Sequence, residues 1–200
     1  MTDYFALLNE PRRPWLDADV LKQKFLSLSA TVHPDKIHSA NESDKQAASK
    51  KFADLNAAYN SLLLPKSRLL HLIELERGAK PGDVQQIPSA LADLFAQVAA
   101  VCRDSDRFLV EKGKTVSPLL QVQLFERAQG WIEQLNTLQK KLGGFHDELL
   151  ANLKRLDTQW TAEASNHATQ LNDLEILYRL FSYFNRWNAQ IQERIVQLSI

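Results

Sequence analysis

The chain has 200 residues, with 24 basic and 24 acidic side chains and a net charge of zero. Ten of each sign lie in the chain through Glu76 and fourteen of each after it, so neither part is a basic or acidic surface that would draw nucleic acid or membrane without specificity. The single cysteine, Cys102, excludes an internal disulfide and any multi-cysteine zinc or iron–sulfur ligand set within this chain.

No apolar run is long enough to span a membrane. The opening MTDYFALLNE carries Asp3 and no basic stretch, so no secretory signal is expected and a reducing cytoplasm is the expected compartment. The segment DYFALL is a short apolar piece. Asp17 is a predicted N-cap, and Leu21, Phe25, Leu28 and Val32 follow at helical spacing. Pro34 lacks an amide donor and disfavours the α region at His33, so this helix should end near Val32. Ser43 and Gln46 read as a capping box. After it Ala48, Phe52, Leu55, Tyr59 and Leu62 repeat at steps of four and three. Two such helices joined by about ten residues should lie antiparallel, with DYFALL and SRLLHLIEL covering the ends of the pair.

Gly78, Pro81, Gly82 and Pro88 mark a linker over 78–88. Leu91, Leu94, Phe95, Val98, Val101 and Cys102 suggest the next helix. Ser117-Pro118 is an N-cap followed by proline at the first helical position, and the apolar pattern then runs through Leu124, Ala128, Trp131, Leu135, Leu138 and Leu142. Gly130 weakens this helix by roughly 1 kcal/mol. Gly143-Gly144 is expected to break or kink it before Leu149, Leu153, Leu156 and Trp160 resume the period. The last segment is the most regular: Leu174, Leu177, Phe181, Phe184, Asn188, Ile191, Ile195 and Leu198 form a seam with one polar position. With no strand pattern and every proline at an element edge or in a loop, the predicted fold class is all-α, in two parts.

The junction SATVHPDKIHSAN between the first two long helices admits several chemistries. His33, Asp35 and His38 are conceivable ligands of a metal-dependent hydrolase. A His–Asp general base would need a nucleophile, and no motif surrounds Ser29, Thr31 or Ser39. A helix-turn-helix needs a turn of three or four residues and a basic reading helix, whereas Lys45, Lys50 and Lys51 are interleaved with Asp44 and Asp54. The plainest reading is a solvated turn.

The whole constellation is more informative. YFALL at Tyr4–Leu8, LKQKFLSLSATVHPDK at Leu21–Lys36 and FADLNAAYNSLLLP at Phe52–Pro65 resemble the J-domain of DnaJ-like co-chaperones. The resemblance implies a J-domain over 1–77 that docks on the ATPase domain of a DnaK-class chaperone and stimulates its ATP hydrolysis. By the family's pattern His33, Pro34 and Asp35 are the docking residues, supported by Lys36 and by Lys22 and Lys24 on the preceding helix. The chain itself is then not an enzyme. It needs no cofactor and no metal, because ATP and magnesium belong to the partner.

Past residue 64, LPKSRLLHLIELERG and VQQIPSALADLFAQV are similar to the HscB-type J-proteins of iron–sulfur cluster assembly. That resemblance implies a helical bundle over 89–200 that holds a client, the iron–sulfur scaffold protein, and presents it to an HscA-type chaperone. Leu91, Leu94 and Phe95 on the first bundle helix are the implied client contacts. Members of the family carry an acidic patch on this helix; here Asp93 is followed by LFAQVAAV, which also leaves room for a J-protein serving a different client. Leu177-Tyr178-Arg179 matches a tripeptide of iron–sulfur client proteins, although Leu177 falls on the packing seam. The aromatic run Tyr178, Phe181, Tyr183, Phe184 and Trp187 covers more than one helix face, enough for a core and a remainder suited to an interface.

Overall fold

The structure is a computed structural model that describes residues 1–32, 42–82, 89–115, 117–160 and 167–200. Among the described residues the regular structure is all helical: α1 (Tyr4–Leu7), α2 (Ala18–Val32), α3 (Glu42–Leu63), α4 (Pro65–Arg77), a single 3-10 turn (Ser89–Leu91), α5 (Ala92–Lys114), α6 (Pro118–Gln159) and α7 (His167–Ser199). The expected all-α class is borne out. No helix among the described residues is long and apolar enough to cross a membrane. The helices pack into two compact units, Met1–Gly82 with Ala151–Arg179, and Asp83–Leu150 with Leu180–Ile200.

In the first unit, local signals start and stop the helices where the sequence places them. Asp3 caps α1 by accepting from the Phe5 amide at 2.9 Å and the Ala6 amide at 3.2 Å. Asp17 Oδ1 caps α2, accepting from the amides of Asp19 at 2.9 Å and Val20 at 3.0 Å. Helix α2 ends at Val32, one residue before the His-Pro pair. Pro65 stands at the start of α4, and Gly78 closes it with φ 73°, its amide bonded to the Glu74 carbonyl at 2.9 Å; a left-handed φ at this position is the reason for glycine. Helices α2 and α3 meet along Leu21, Leu55, Ala58 and Leu62, all buried, and Phe25 stacks on Tyr59 at 4.5 Å. One signal misled. Helix α3 already includes Glu42, so Ser43 lies inside the helix and does not cap it.

Residues 151–179, the end of α6 and the start of α7, belong to this unit. Leu153, Leu171, Leu174 and Leu177 are buried. The Asp157 carboxylate, itself buried, accepts from Arg13 Nε at 3.0 Å and the Trp15 amide at 2.9 Å, with a second bond from Arg13 Nη2. Trp160 Nε1 donates to the Arg12 carbonyl at 2.8 Å, and Arg77 pairs with Glu175. The packing units therefore cut across the chain-order modules 1–77 and 89–200, because the far ends of two long helices are tied to the N-terminal segment. Residues 83–88 of the expected linker lie outside the described residues.

The second unit has its own core of Leu91, Val98, Cys102, Phe108, Leu124, Ala128, Leu135, Leu138, Leu142, Trp187, Ile191 and Leu198. Pro118 begins α6, with the Gln121 amide bonded to the Ser117 carbonyl at 3.0 Å, as expected. Two expectations are corrected. Helix α6 runs unbroken through Gly143-Gly144: the cost of a helical glycine, about 1 kcal/mol each, is outweighed by the burial of Leu142 and Leu149 on either side. Trp187 is buried at 3 % exposure whereas Asn188 is only half-buried. A straight helix drifts by roughly 20° per heptad from a 3.5-residue repeat, so the seam's polar position slides outward and its neighbour turns in. Asn188 accepts from Gln139 Nε2 at 3.2 Å.

Candidate functional site

The residues expected to dock, His33, Pro34, Asp35 and Lys36, and His38 of the rival metal reading, lie outside the described residues. The structure describes the platform that flanks them. Helix α2 ends at Val32 and α3 begins at Glu42, so the tripeptide follows directly on the last turn of α2. Val32 is buried at that end of the hairpin.

The two lysines of α2 differ. Lys22 is exposed. Lys24 is half-buried, its Nζ 2.9 Å from Glu10 Oε1 and 3.0 Å from the Asn9 carbonyl. The Glu10 side chain is only 7 % exposed, and Asn9 adopts a left-handed φ of 53°, which asparagine tolerates better than most residues. This turn brings Glu10 and the Asn9 carbonyl onto Lys24. Much of the Lys24 charge is thus spent inside the unit, a role that helix spacing alone does not reveal.

Behind the hairpin, His71 on α4 is buried and accepts the Tyr4 amide at Nε2, 3.0 Å away. Its ring stacks on Tyr4 at 4.4 Å and lies 5.8 Å from Phe5. Burial lowers its pKa, against the opposing pull of Asp3 and Glu74. Burial alone would raise the Asp3 carboxyl, but the Ala6 amide and Arg12 outweigh it and hold the pKa low. Arg68 is almost wholly buried and donates to the carbonyls of Pro14 and Leu62, each at 2.7 Å. Its pKa is pushed down to about 10 by burial, with Asp157 acting in the other direction. Two cations lie over the Trp15 ring, Arg68 at 5.8 Å and Lys154 at 4.5 Å. These groups fix α1, α4 and the 9–17 segment on which the hairpin rests.

Among the described residues, neither Ser29 nor Thr31 of α2 has a catalytic partner. Ser29 Oγ is buried without a hydrogen bond, and Thr31 Oγ1 donates to the Leu28 carbonyl at 2.7 Å. Among the described residues no group of three or more His, Cys, Asp or Glu side chains is placed to hold a metal. Cys102 is buried, and burial raises its pKa, so it is a core thiol.

In the second unit the three residues expected to meet a client separate. Leu91 is buried in the core and Leu94 packs against it, whereas Phe95 is 41 % exposed. The Phe95 ring lies 6.2 Å from that of Trp187, which stacks on Tyr183 at 5.7 Å. An outward-facing aromatic backed by two others is the kind of anchor that interfaces favour. Tyr183 and Trp187 were legible only as members of an aromatic run; their meeting with Phe95 needs the fold. In the first unit, Leu177 of the Leu-Tyr-Arg tripeptide is buried and Arg179 is bonded to Glu175 at 2.5 Å, so the tripeptide is absorbed in packing.

No protein-family profile matches the chain. A stretch of 74 residues is 38 % identical to the "Co-chaperone protein HscB homolog" of Shewanella loihica, covering 37 % of this chain and 43 % of that protein. The matched stretch thus spans under half the length of that relative. Two solved structures share the fold. Chaperone HscB from Vibrio cholerae superposes with a TM-score of 0.64 and 18 % identity, over 98 % of this chain and 99 % of that one. Human co-chaperone protein HscB gives a TM-score of 0.60 and 19 % identity, over 96 % and 81 %. The likeness to HscB-type co-chaperones read from the sequence is borne out, in sequence by the first and in fold by the other two.

Proposed function

We propose that this chain is a J-domain co-chaperone of the HscB type, docking on a DnaK/HscA-class chaperone through His33, Pro34 and Asp35. The observation that supports this reading is the pairing of α2 with α3: their apolar seams converge, and the His-Pro-Asp tripeptide lies in the sequence between the two helices. Pro34 fixes one dihedral and lowers the ordering cost of docking. Asp35 supplies a negative charge for an arginine or lysine of the ATPase, and His33 supplies ring donors and packing. Such a protein changes its partner's hydrolysis rate only by preferring the hydrolysis-competent state. ATP and magnesium are the partner's, and the chain itself performs no chemistry. Lys22 and Lys36 carry the electrostatic part of docking, with Lys24 held back by Glu10.

The second unit is proposed to hold a client, with Phe95 as the exposed anchor, Leu94 beside it, and Leu91 as its support in the core. An iron–sulfur scaffold protein is the client that the HscB likeness favours. A different client is the second reading, favoured by the near absence of acids between Ala92 and Val101. Calorimetry of the full chain against an iron–sulfur scaffold protein tests this half. Binding that Phe95→Ala weakens at least tenfold supports it; no heat at about 200 µM, where a Kd near 1 mM would still register, removes the scaffold and leaves the docking half standing.

A further inference from the structure

Helix α2 has one side in the core of its unit and one side open. Leu21, Ser29 and Val32 are buried, and Phe25 stacks on Tyr59 at 4.5 Å. Lys22, Leu26, Ser27, Ala30 and Thr31 are exposed. Lys22, Leu26 and Ala30 follow one another at steps of four and so share a face, and this row ends three residues before His33 in the sequence. Leu26 is 54 % exposed. A lone exposed leucine is ordinary. This one stands on the open face of the helix that leads to the tripeptide proposed to dock.

The charges of α2 decide what that face fits. The helix has three charged side chains, Asp19, Lys22 and Lys24, all in its first half. From Phe25 to Val32 there is none. Lys24 is held by Glu10 Oε1 at 2.9 Å and the Asn9 carbonyl at 3.0 Å. The Thr31 hydroxyl is engaged by the Leu28 carbonyl at 2.7 Å. The last two turns of α2 therefore offer one large apolar side chain with the small residues Ser27 and Ala30 beside it, and no cation of their own. A partner seated on the tripeptide meets these turns next. An acidic partner surface would give up its water there without gaining a cation from these turns. An apolar surface would gain by covering Leu26.

We propose that Leu26 is a specificity-determining contact in docking, seated against an apolar spot on the ATPase domain of the partner chaperone. This rests on the docking reading above and adds to it the chemistry of the partner's surface. The tripeptide and Lys22 supply the charged contacts. Leu26 supplies affinity and selects, among DnaK-class ATPases, those that are apolar opposite α2. It takes no part in triggering hydrolysis.

The test is single-turnover hydrolysis of ATP pre-bound to an HscA-class chaperone, and in a parallel arm to a DnaK-class one, over a range of concentrations of the full chain. On the chaperone that responds, Leu26→Ala should raise the concentration for half-maximal acceleration about tenfold, the loss expected when most of a leucine side chain leaves a contact. The maximal rate should stay the same. Leu26→Lys should raise that concentration at least as much. Both variants should keep the wild-type unfolding midpoint, because the side chain stands outside the core. Asp35→Asn is the control for docking itself and should remove the acceleration. With that control in place, three results overturn the proposal: a wild-type half-saturation for Leu26→Ala, a lowered maximal rate with half-saturation unchanged, or tighter docking by Leu26→Lys that salt weakens, which would put an acidic partner surface opposite α2. Acceleration that Asp35→Asn leaves intact overturns the docking reading and this proposal with it.

Discussion

Asp157→Ala should be among the most damaging single changes to the first unit. The carboxylate accepts two bonds from Arg13 and one from the Trp15 amide, and its charge opposes the effect of burial on Arg68. The Arg13 side chain is 45 % exposed, so its pair is screened and contributes about 1 kcal/mol at most. The Trp15 amide left without its acceptor costs about 1–2 kcal/mol. Arg68 keeps its two carbonyl acceptors but loses the charge that offsets its burial, which adds about 1 kcal/mol. The expected total is about 3 kcal/mol, a fall of roughly 5–10 °C in Tm for a chain of this size. Asp157→Asn retains an acceptor for Trp15 and should lose about half as much. Urea unfolding at constant m-value and differential scanning calorimetry measure both. A loss under 0.5 kcal/mol for Asp157→Ala would refute the reasoning, and equal losses for the two variants would place the whole effect in charge.

Protonation of His71 removes the acceptor for the Tyr4 amide. Because its folded pKa is depressed, the stability it contributes is fully present above the unfolded value near 6.5 and is lost as pH falls below it; urea midpoints at pH 7.5 and 5.5 should therefore differ less for His71→Gln than for the wild type. Gly143→Ala and Gly144→Ala, whose added Cβ atoms meet nothing within 4 Å, should each stabilise α6 by about 0.5–1 kcal/mol in the same unfolding assay. Lys24→Glu, which sets a carboxylate against Glu10, should destabilise by about 1–2 kcal/mol, whereas Lys22→Glu should leave the unfolding midpoint alone and slow association with the chaperone, an effect that salt diminishes.

What the sequence discloses depends on how far apart the determining residues lie. The cap at Asp17, the helix start at Pro118 and the stop at Gly78 involve only near neighbours, and each stands where its residues suggest. The α2–α3 pairing follows from two periodic patterns and a short connection. The contact of Arg13 with Asp157 joins residues 144 positions apart, and no local pattern announces it; the grouping of 151–179 with the N-terminal segment is hidden for the same reason. The tripeptide proposed to dock is readable as residues because its chemistry is contained in three adjacent positions. The neutralisation of Lys24 is not, since it needs the left-handed turn at Asn9. Phe95, Tyr183 and Trp187 are legible as aromatics on two helices, but only packing shows that Trp187 faces inward and Phe95 outward. The Gly143-Gly144 pair misleads because local helix propensity is weaker than the burial of the leucines around it.

The central claim is that His33-Pro34-Asp35 triggers a partner ATPase, and single-turnover hydrolysis of ATP pre-bound to a DnaK-class chaperone tests it most directly. Wild-type chain should accelerate that turnover. Asp35→Asn and His33→Gln, with unfolding curves within about 0.5 kcal/mol of the wild type, should abolish the acceleration. Full stimulation by Asp35→Asn, or none by the correctly folded wild type with HscA-class and DnaK-class partners alike, would contradict the claim.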